Sequence, residues 1–179
     1  MPELIRARPG KGYRPCVGIA LFNGEGRVFL GKRASRGVVP KFSWQMPQGG
    51  VDQGESPIEA AIRELYEETS IRSVTLLGEV EGWLHYDLPK DLAVWRGRFR
   101  GQAQRWFAFR FEGREEEINV TEPPDGHHSE FSRWKWEDLD KTPEVVVPFK
   151  RAVYEHVVSA FATYAAPDEP LRDVVSGAI

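Results

Sequence analysis

A mixed α/β domain is the fold class this sequence predicts, on three observations. An apolar run at residues 16–22 and a returning strand at residues 27–32 flank a turn of Asn23, Gly24, Glu25 and Gly26, the pattern of a hairpin. The segment that begins at Ser56 joins a helix-start signal to a run of helix-favouring residues. The segment from Pro148 to Tyr164 repeats apolar side chains at helical spacing. Strands and helices alternate without a strict order, so periodicity leads to no narrower class. With 179 residues the chain is long enough for one domain with a proper core.

Taken in order, residues 1–12 are polar and carry Arg6, Arg8 and Lys11, which predicts a flexible N-terminal arm ahead of a domain spanning 13–166. Tyr13, Arg14 and Pro15 precede the first strand. After the second strand, Arg33, Ala34, Ser35, Arg36 and Gly37 make a basic loop together with Lys41. Such a loop is either simply solvated or a contact for phosphate or a base, because a guanidinium both pairs and stacks. Residues 44–50 then approach the acidic helix, and Gly49 and Gly50 let backbone come close to a ligand or metal.

Ser56 reads as the N-cap of that helix, Pro57 as its first residue and Glu59 as the glutamate of a capping box. Ile58, Ala61, Ile62 and Leu65 fall on one arc, which is expected to face a core. Glu64, Glu67 and Glu68 stand at i, i+3 and i+4, so three carboxylates share a face off that arc. Arg63 is within pairing reach of Glu59 and Glu67. A solvated acidic face is the plain alternative; the glycine-rich approach argues for more. A carboxylate cluster without Cys or His suits a hard divalent cation with oxygen ligands, Mg²⁺ or Mn²⁺.

Beyond the helix, residues 74–80 and 106–111 read as strands. At least two of the aromatic residues at 106, 107, 109 and 111 are expected in the core. Glu115, Glu116 and Glu117 read as a solvated turn. Residues 121–129 form a loop whose His127 and His128, lacking a Cys or third His, do not make a zinc site. Residues 130–136 are a last strand, Pro148 starts the final helix, and residues 167–179 are a Pro/Asp/Glu tail. In that helix Phe149, Val153, Val157, Ala160, Phe161 and Tyr164 form the core face.

A net charge of −3 excludes strong non-specific nucleic-acid binding from bulk charge and leaves room for a local basic patch. The single cysteine, Cys16, excludes an internal disulfide and fits a reducing, cytoplasmic compartment; it sits in an apolar run, as a buried residue rather than a reactive one. No apolar stretch is long enough for a membrane span and none marks a signal peptide.

Gly49, Glu55 and the run Arg63, Glu64, Leu65, Tyr66, Glu67, Glu68, Thr69, Ser70, Ile71 resemble the Nudix box in register. One position departs: the family has glycine where Ser70 stands, just after the helix, where glycine allows a left-handed cap; either serine adopts that conformation at a cost of roughly 1 kcal/mol or the helix ends differently. Tyr13-Arg14-Pro15 and the segments 44–50, 83–89 and 101–107 narrow the resemblance. So do Glu130-Phe131 with Trp134-Lys135-Trp136, and Phe149-Lys150-Arg151 with Val153-Tyr154. Together they are similar to the bacterial RNA pyrophosphohydrolases, also described as dinucleoside polyphosphate hydrolases, over about residues 13–161.

The resemblance implies the Nudix fold, a mixed β-sheet sandwiched between helices (α/β/α), and hydrolysis of a nucleoside diphosphate linked to another group with Mg²⁺. It implies that Glu64, Glu67 and Glu68 are metal ligands, that Gly49 adds its carbonyl, and that one box glutamate orients the attacking water. Glu130 matches a later glutamate that binds metal or assists as base. Arg33, Val147 and Phe149 match positions that hold the first or second base, and Arg14 and Lys150 match basic positions near phosphates. The expected reaction removes pyrophosphate from 5′-triphosphate RNA, leaving a 5′-monophosphate and initiating decay. Asymmetric cleavage of diadenosine polyphosphates is the rival within the class. A catalytically inactive nucleotide sensor is the rival outside it, although none of the three box acids is missing. No membrane and no stable protein partner are expected.

Overall fold

The computed structural model describes residues 4–34, 40–91 and 98–167. Residues 1–3 of the predicted arm, residues 35–37 of the basic loop and the predicted tail from 168 onward lie outside them. Nine strands form a single mixed sheet among the described residues. They are β1 (Ile5–Arg6), β2 (Tyr13–Phe22), β3 (Val28–Arg33), β4 (Trp44–Gln45), β5 (Gln48–Gly50), β6 (Val74–Glu79), β7 (Trp83–Asp87), β8 (Gly101–Phe111) and β9 (Phe131–Glu137). The order is β1-β7-β8-β2-β3-β4, with β5 also on β2, β6 on β8 and β9 on β3. β2 and β8 run parallel from Tyr13↔Gly101 to Phe22↔Arg110. Helices α1 (Pro57–Thr69) and α3 (Arg151–Phe161) cover opposite faces, and a single turn, α2 (Thr142–Val145), precedes α3.

Alternation along the central strands builds both interfaces. Val17, Ile19, Leu21, Phe107, Phe109 and Phe111 meet Ala60, Ala61 and Leu65 of α1. Ala20, Phe22, Trp106 and Ala108 meet Val153, Tyr154, Val157 and Phe161 of α3. A strand buried on both faces is apolar throughout, which is why residues 16–22 read as an unbroken run. All four aromatic residues at 106, 107, 109 and 111 are buried. The α/β/α sandwich is the predicted architecture.

Several local expectations are corrected. β2 begins at Tyr13 with Pro15 inside it. The carbonyl of Pro15 accepts the Val51 amide at 3.1 Å, so its nitrogen faces the end of β5, where no ladder partner is lost. The expected hairpin between residues 16–22 and 27–32 closes through one pair, Phe22↔Val28. The strands then splay, and the segment 44–50 fills the gap, β5 on β2 and β4 on β3. Residues 4–12 are pinned rather than loose. Ile5 and Arg6 pair with Leu84 and Trp83, and the carbonyl of Pro9 lies 2.6 Å from Nε2 of His85. Glu117 is structural: its carboxylate accepts the amides of Arg72 and Ser73 at 2.7 and 2.9 Å.

Helix α1 is rotated from the predicted arc. Ile62 is 48% exposed, while Ala60, Glu68 and Thr69 join Ala61 and Leu65 in the buried set. The helix ends on Ser70, left-handed at φ 66°, whose amide donates to Tyr66 O and whose Oγ donates to Asn119 O at 3.3 Å. A left-handed non-glycine residue costs about 1 kcal/mol, part of which the Asn119 bond offsets. Ser70→Gly is therefore expected to raise stability by about 0.5 kcal/mol in urea denaturation with turnover unchanged.

Candidate active site

The first turn of α1 is fixed by its own side chains. Glu59 Oε2 accepts the amide and hydroxyl of Ser56 at 2.9 and 2.6 Å, and Ser56 Oγ accepts the Glu59 amide at 3.4 Å. With Glu59 so engaged, Arg63 does not pair with it. Instead Arg63 clamps Glu55 through Nε and Nη2 at 2.8 and 2.9 Å and donates to Gly50 O at 2.8 Å. Its Nη1 reaches Glu64 at 2.9 Å and Glu67 at 3.2 Å. The guanidinium holds the Glu55 carboxyl below its ordinary range. Arg63 thus ties the glycine approach, Glu55 and two box acids into one unit.

Glu64 lies directly over Gly49, and any Cβ at that position would overlap its carboxylate. Glu68 is only 6% exposed and accepts the Gln48 amide at 3.1 Å. Burial, then the charges of Glu64 and Glu130, push its carboxyl well above the ordinary range. Burial likewise raises Glu64, against the pull of Arg63. Glu67 faces His127, whose Nε2 is 3.8 Å away. Glu130 is exposed at the start of β9, where its carbonyl accepts the Ala34 amide at 3.0 Å.

The structure thus brings Gly49, Glu64, Glu67 and Glu68 together and sets Glu130 within electrostatic reach. Among the described residues no three acidic, His or Cys side chains already converge as metal ligands. Arg63 and the Gln48 amide hold the carboxylates apart. The donor set is nonetheless right for a hard divalent ion: all oxygen, with a buried Glu68 that no Lys or Arg among the described residues bridges. One expectation changes. Gly49 pairs with Val17, between ladder bonds from Ile19 to Pro47 and from Val51 to Pro15, so its carbonyl turns toward β2. The main chain on the acid side is that of Gln48.

The other face of the same segment is a buried polar pocket. Lys150 is 5% exposed, and its Nζ donates to Gln48 Oε1 at 2.8 Å and Gln45 Oε1 at 3.4 Å. Gln104 donates to Gln48 at 3.1 Å and Gln102 at 2.9 Å, and accepts from Trp106 Nε1 at 3.0 Å. Burial, then the nearby Arg33 charge, lowers the Lys150 amine to about 7. Arg14 packs against Gly50, and half-buried Arg33 ends β3. Phe149 lies against Tyr86 with centroids 5.7 Å apart, and Val147 packs beside it on the core. Sequence reasoning assigns Gln45, Gln48, Gln104 and Tyr86 no role. The available signal was glutamine at buried positions of otherwise apolar strands.

The family model described as NUDIX domain matches residues 12–157. An RNA pyrophosphohydrolase of Azorhizobium caulinodans is 58% identical over 158 residues, covering 86% of this chain and 94% of the relative. One of Agrobacterium fabrum is 56% identical over 156 residues, covering 83% and 91%. Among solved structures, the E. coli dihydroneopterin triphosphate pyrophosphohydrolase superposes with TM-score 0.59 at 22% identity, covering 84% of this chain and 99% of that one. A C. elegans Ap4A hydrolase binary complex gives 0.56 at 18%, covering 83% and 98%. At these identities the structural likeness concerns the fold.

Proposed function

The chain belongs to the Nudix family, and from that premise we propose that it removes pyrophosphate from the 5′-triphosphate end of RNA and leaves a 5′-monophosphate. Two things support the reading. The curated relatives at 56–58% identity carry that name. The observation that carries it is Gln48, whose amide holds Glu68 and whose side chain holds Lys150, joining the acid cluster to the buried cationic pocket.

Glu64, Glu67, Glu68 and Glu130 are the proposed holders of Mg²⁺ (or Mn²⁺), with the main-chain oxygen of Gln48. The bound ion supplies charge neutralisation on phosphate oxygens and a more acidic water. The chain does the positioning. Arg63 fixes the spacing of Glu64 and Glu67, and one box glutamate accepts a proton from the attacking water. Lys150 and Arg14 receive the phosphates. Lys150 suits this because its hydrogen-bond partners are amide oxygens and not carboxylates, and an arriving phosphate favours its charged form. Phe149, Val147 and Arg33 hold the first bases by stacking, a contact of about 1–3 kcal/mol per base with little sequence reading. No helix among the described residues is long and apolar enough to cross a membrane, and the bacterial cytoplasm is the proposed place of action.

The test compares a short 5′-triphosphate RNA with diadenosine tetraphosphate in Mg²⁺. Higher kcat/KM on RNA, with pyrophosphate released, is the expected result. Preference for the dinucleotide recasts the chain as a nucleotide-clearing hydrolase. Turnover of neither favours the nucleotide-sensor reading.

A further inference from the structure

The pinned N-terminal segment has a chemical character that the site does not use. Arg6, Arg8 and Lys11 come from it, and Arg98 and Arg100 from the approach to β8. One bond joins the two directly, and three hold one or the other against β7 or the residue after it. Leu4 O accepts the His85 amide at 2.9 Å, Pro9 O lies 2.6 Å from His85 Nε2, Gly12 O accepts the Arg100 amide at 2.8 Å, and Arg100 O accepts the Leu88 amide at 2.8 Å. Tyr13 stands between the two cationic groups, with the guanidinium of Arg6 at 5.6 Å and that of Arg100 at 5.2 Å from its ring centroid. Among the described residues the acid hydrogen-bonded within this cluster is Asp87, occupied by Arg100 at 2.7 Å and by the Tyr13 hydroxyl at 2.6 Å. Arg8, Lys11 and Arg98 are exposed. Among the described residues Arg8 and Lys11 form no hydrogen bond or ion pair, and the Arg98 guanidinium lies 5.7 Å from the Phe99 ring centroid.

Like charges gathered on ordered backbone repel one another, and nothing in folding rewards holding unpaired cations together. An anion rewards it. The chain as a whole is at −3, so the patch is local and not a by-product of bulk charge. Its position gives the anion a direction. Tyr13 is four residues before Val17, which stands opposite Gly49, so the patch begins about 13 Å along β2 from the acid cluster at ~3.3 Å per residue. Arg14, the next residue, already packs on Gly50.

We propose that this surface receives the phosphodiester backbone of the RNA downstream of its 5′ end, as a landing strip that raises local substrate concentration. It rests on the reading of the chain as an enzyme on RNA 5′ ends. The contacts are to phosphates, so they carry no sequence preference and weaken with salt.

The experiment measures binding and turnover separately. Binding is read by anisotropy of a 5′-hydroxyl RNA of about 12 nucleotides, within the usual site sizes for single strands. Turnover compares a 5′-triphosphate dinucleotide with the triphosphate form of the longer RNA. For the Arg8→Glu, Lys11→Glu double variant, binding of the hydroxyl RNA is expected to fall tenfold or more. Its log–log salt slope is expected to flatten by about 1.4, at ~0.7 per lost phosphate contact. kcat/KM on the long RNA falls through KM, and the dinucleotide is turned over as by wild type, which also reports an intact fold. Arg8→Ala, Lys11→Ala gives a smaller effect of the same sign. Wild-type binding and slope in the reversed variant overturn the proposal. Hydroxyl-RNA binding that depends on Arg8 and Lys11, without any triphosphate turnover, sinks the enzymatic reading and keeps the surface.

Discussion

Glu68→Gln is expected to lower kcat/KM on 5′-triphosphate RNA by ~10³-fold, about 4 kcal/mol of transition-state stabilisation, while making the metal-free protein more stable. The two effects share one cause. Glu68 is buried against Glu64 and within the field of Glu130, and its carboxyl is pushed well above its ordinary value of 4.5. Folding therefore favours its protonated form. The stability contributed by that proton is complete below pH 4.5 and is lost as pH rises through the raised folded value. At neutral pH without metal, the carboxylate is a net cost that neutral glutamine removes. Its amide oxygen still accepts the Gln48 amide, which now meets Glu68 at 3.1 Å. Melting in chelator is expected to rise by a few degrees, at about 2–4 °C per kcal/mol for a chain of this size, and the gain vanishes in acid. Mg²⁺ is expected to stabilise wild type by binding the folded state and to lose most of that effect in the variant. Near-normal turnover would remove Glu68 from the catalytic set; an unchanged melting temperature in chelator would deny the electrostatic account.

Arg63→Ala is expected to be damaging on both counts. Its side chain, 27% exposed, is the shared partner of Glu55, Glu64, Glu67 and the Gly50 carbonyl, with Asp52 at 3.8 Å. Removing it leaves four carboxylates facing one another on a half-buried surface. Loss of a partner of this kind costs about 2–4 kcal/mol. Activity is expected to fall by ~10² or more, because the spacing of Glu64 and Glu67 is no longer held. Arg63→Lys is expected to rescue little, since one ammonium cannot span both Glu55 oxygens and the Gly50 carbonyl. Urea denaturation and steady-state kinetics on both variants check this. A lysine variant with wild-type kcat/KM would show that charge alone, not the fork geometry, is what Arg63 supplies.

What could be read from the order of residues was whatever lies within a turn or two of the chain. The capping box of Ser56 and Glu59 closes over three residues and forms as its spacing implies. The i, i+3, i+4 spacing of Glu64, Glu67 and Glu68, and the left-handed demand at Ser70, are also local. The two-faced burial of β2 was visible as an unbroken apolar run, because a central strand meets core on both sides.

Where α1 turns its faces was not local. Ile62 and Glu68 differ in hydropathy, yet the acid is buried, with the Gln48 amide of β5 to receive it, and the isoleucine is exposed. The splayed hairpin depends on the segment 44–50 arriving between β2 and β3. The buried Lys150 draws its partners from Gln48 and Gln45, more than 100 residues earlier. The sequence by itself determined the acids, their spacing and the mixed α/β class, and the layers followed from the resemblance it carries. Only the tertiary structure decided which acid is desolvated, which carbonyl faces it and which cations are gathered beside it. Hydrogen-bond spacing along one helix is set by covalent geometry, whereas desolvation and charge depend on neighbours that packing alone brings near.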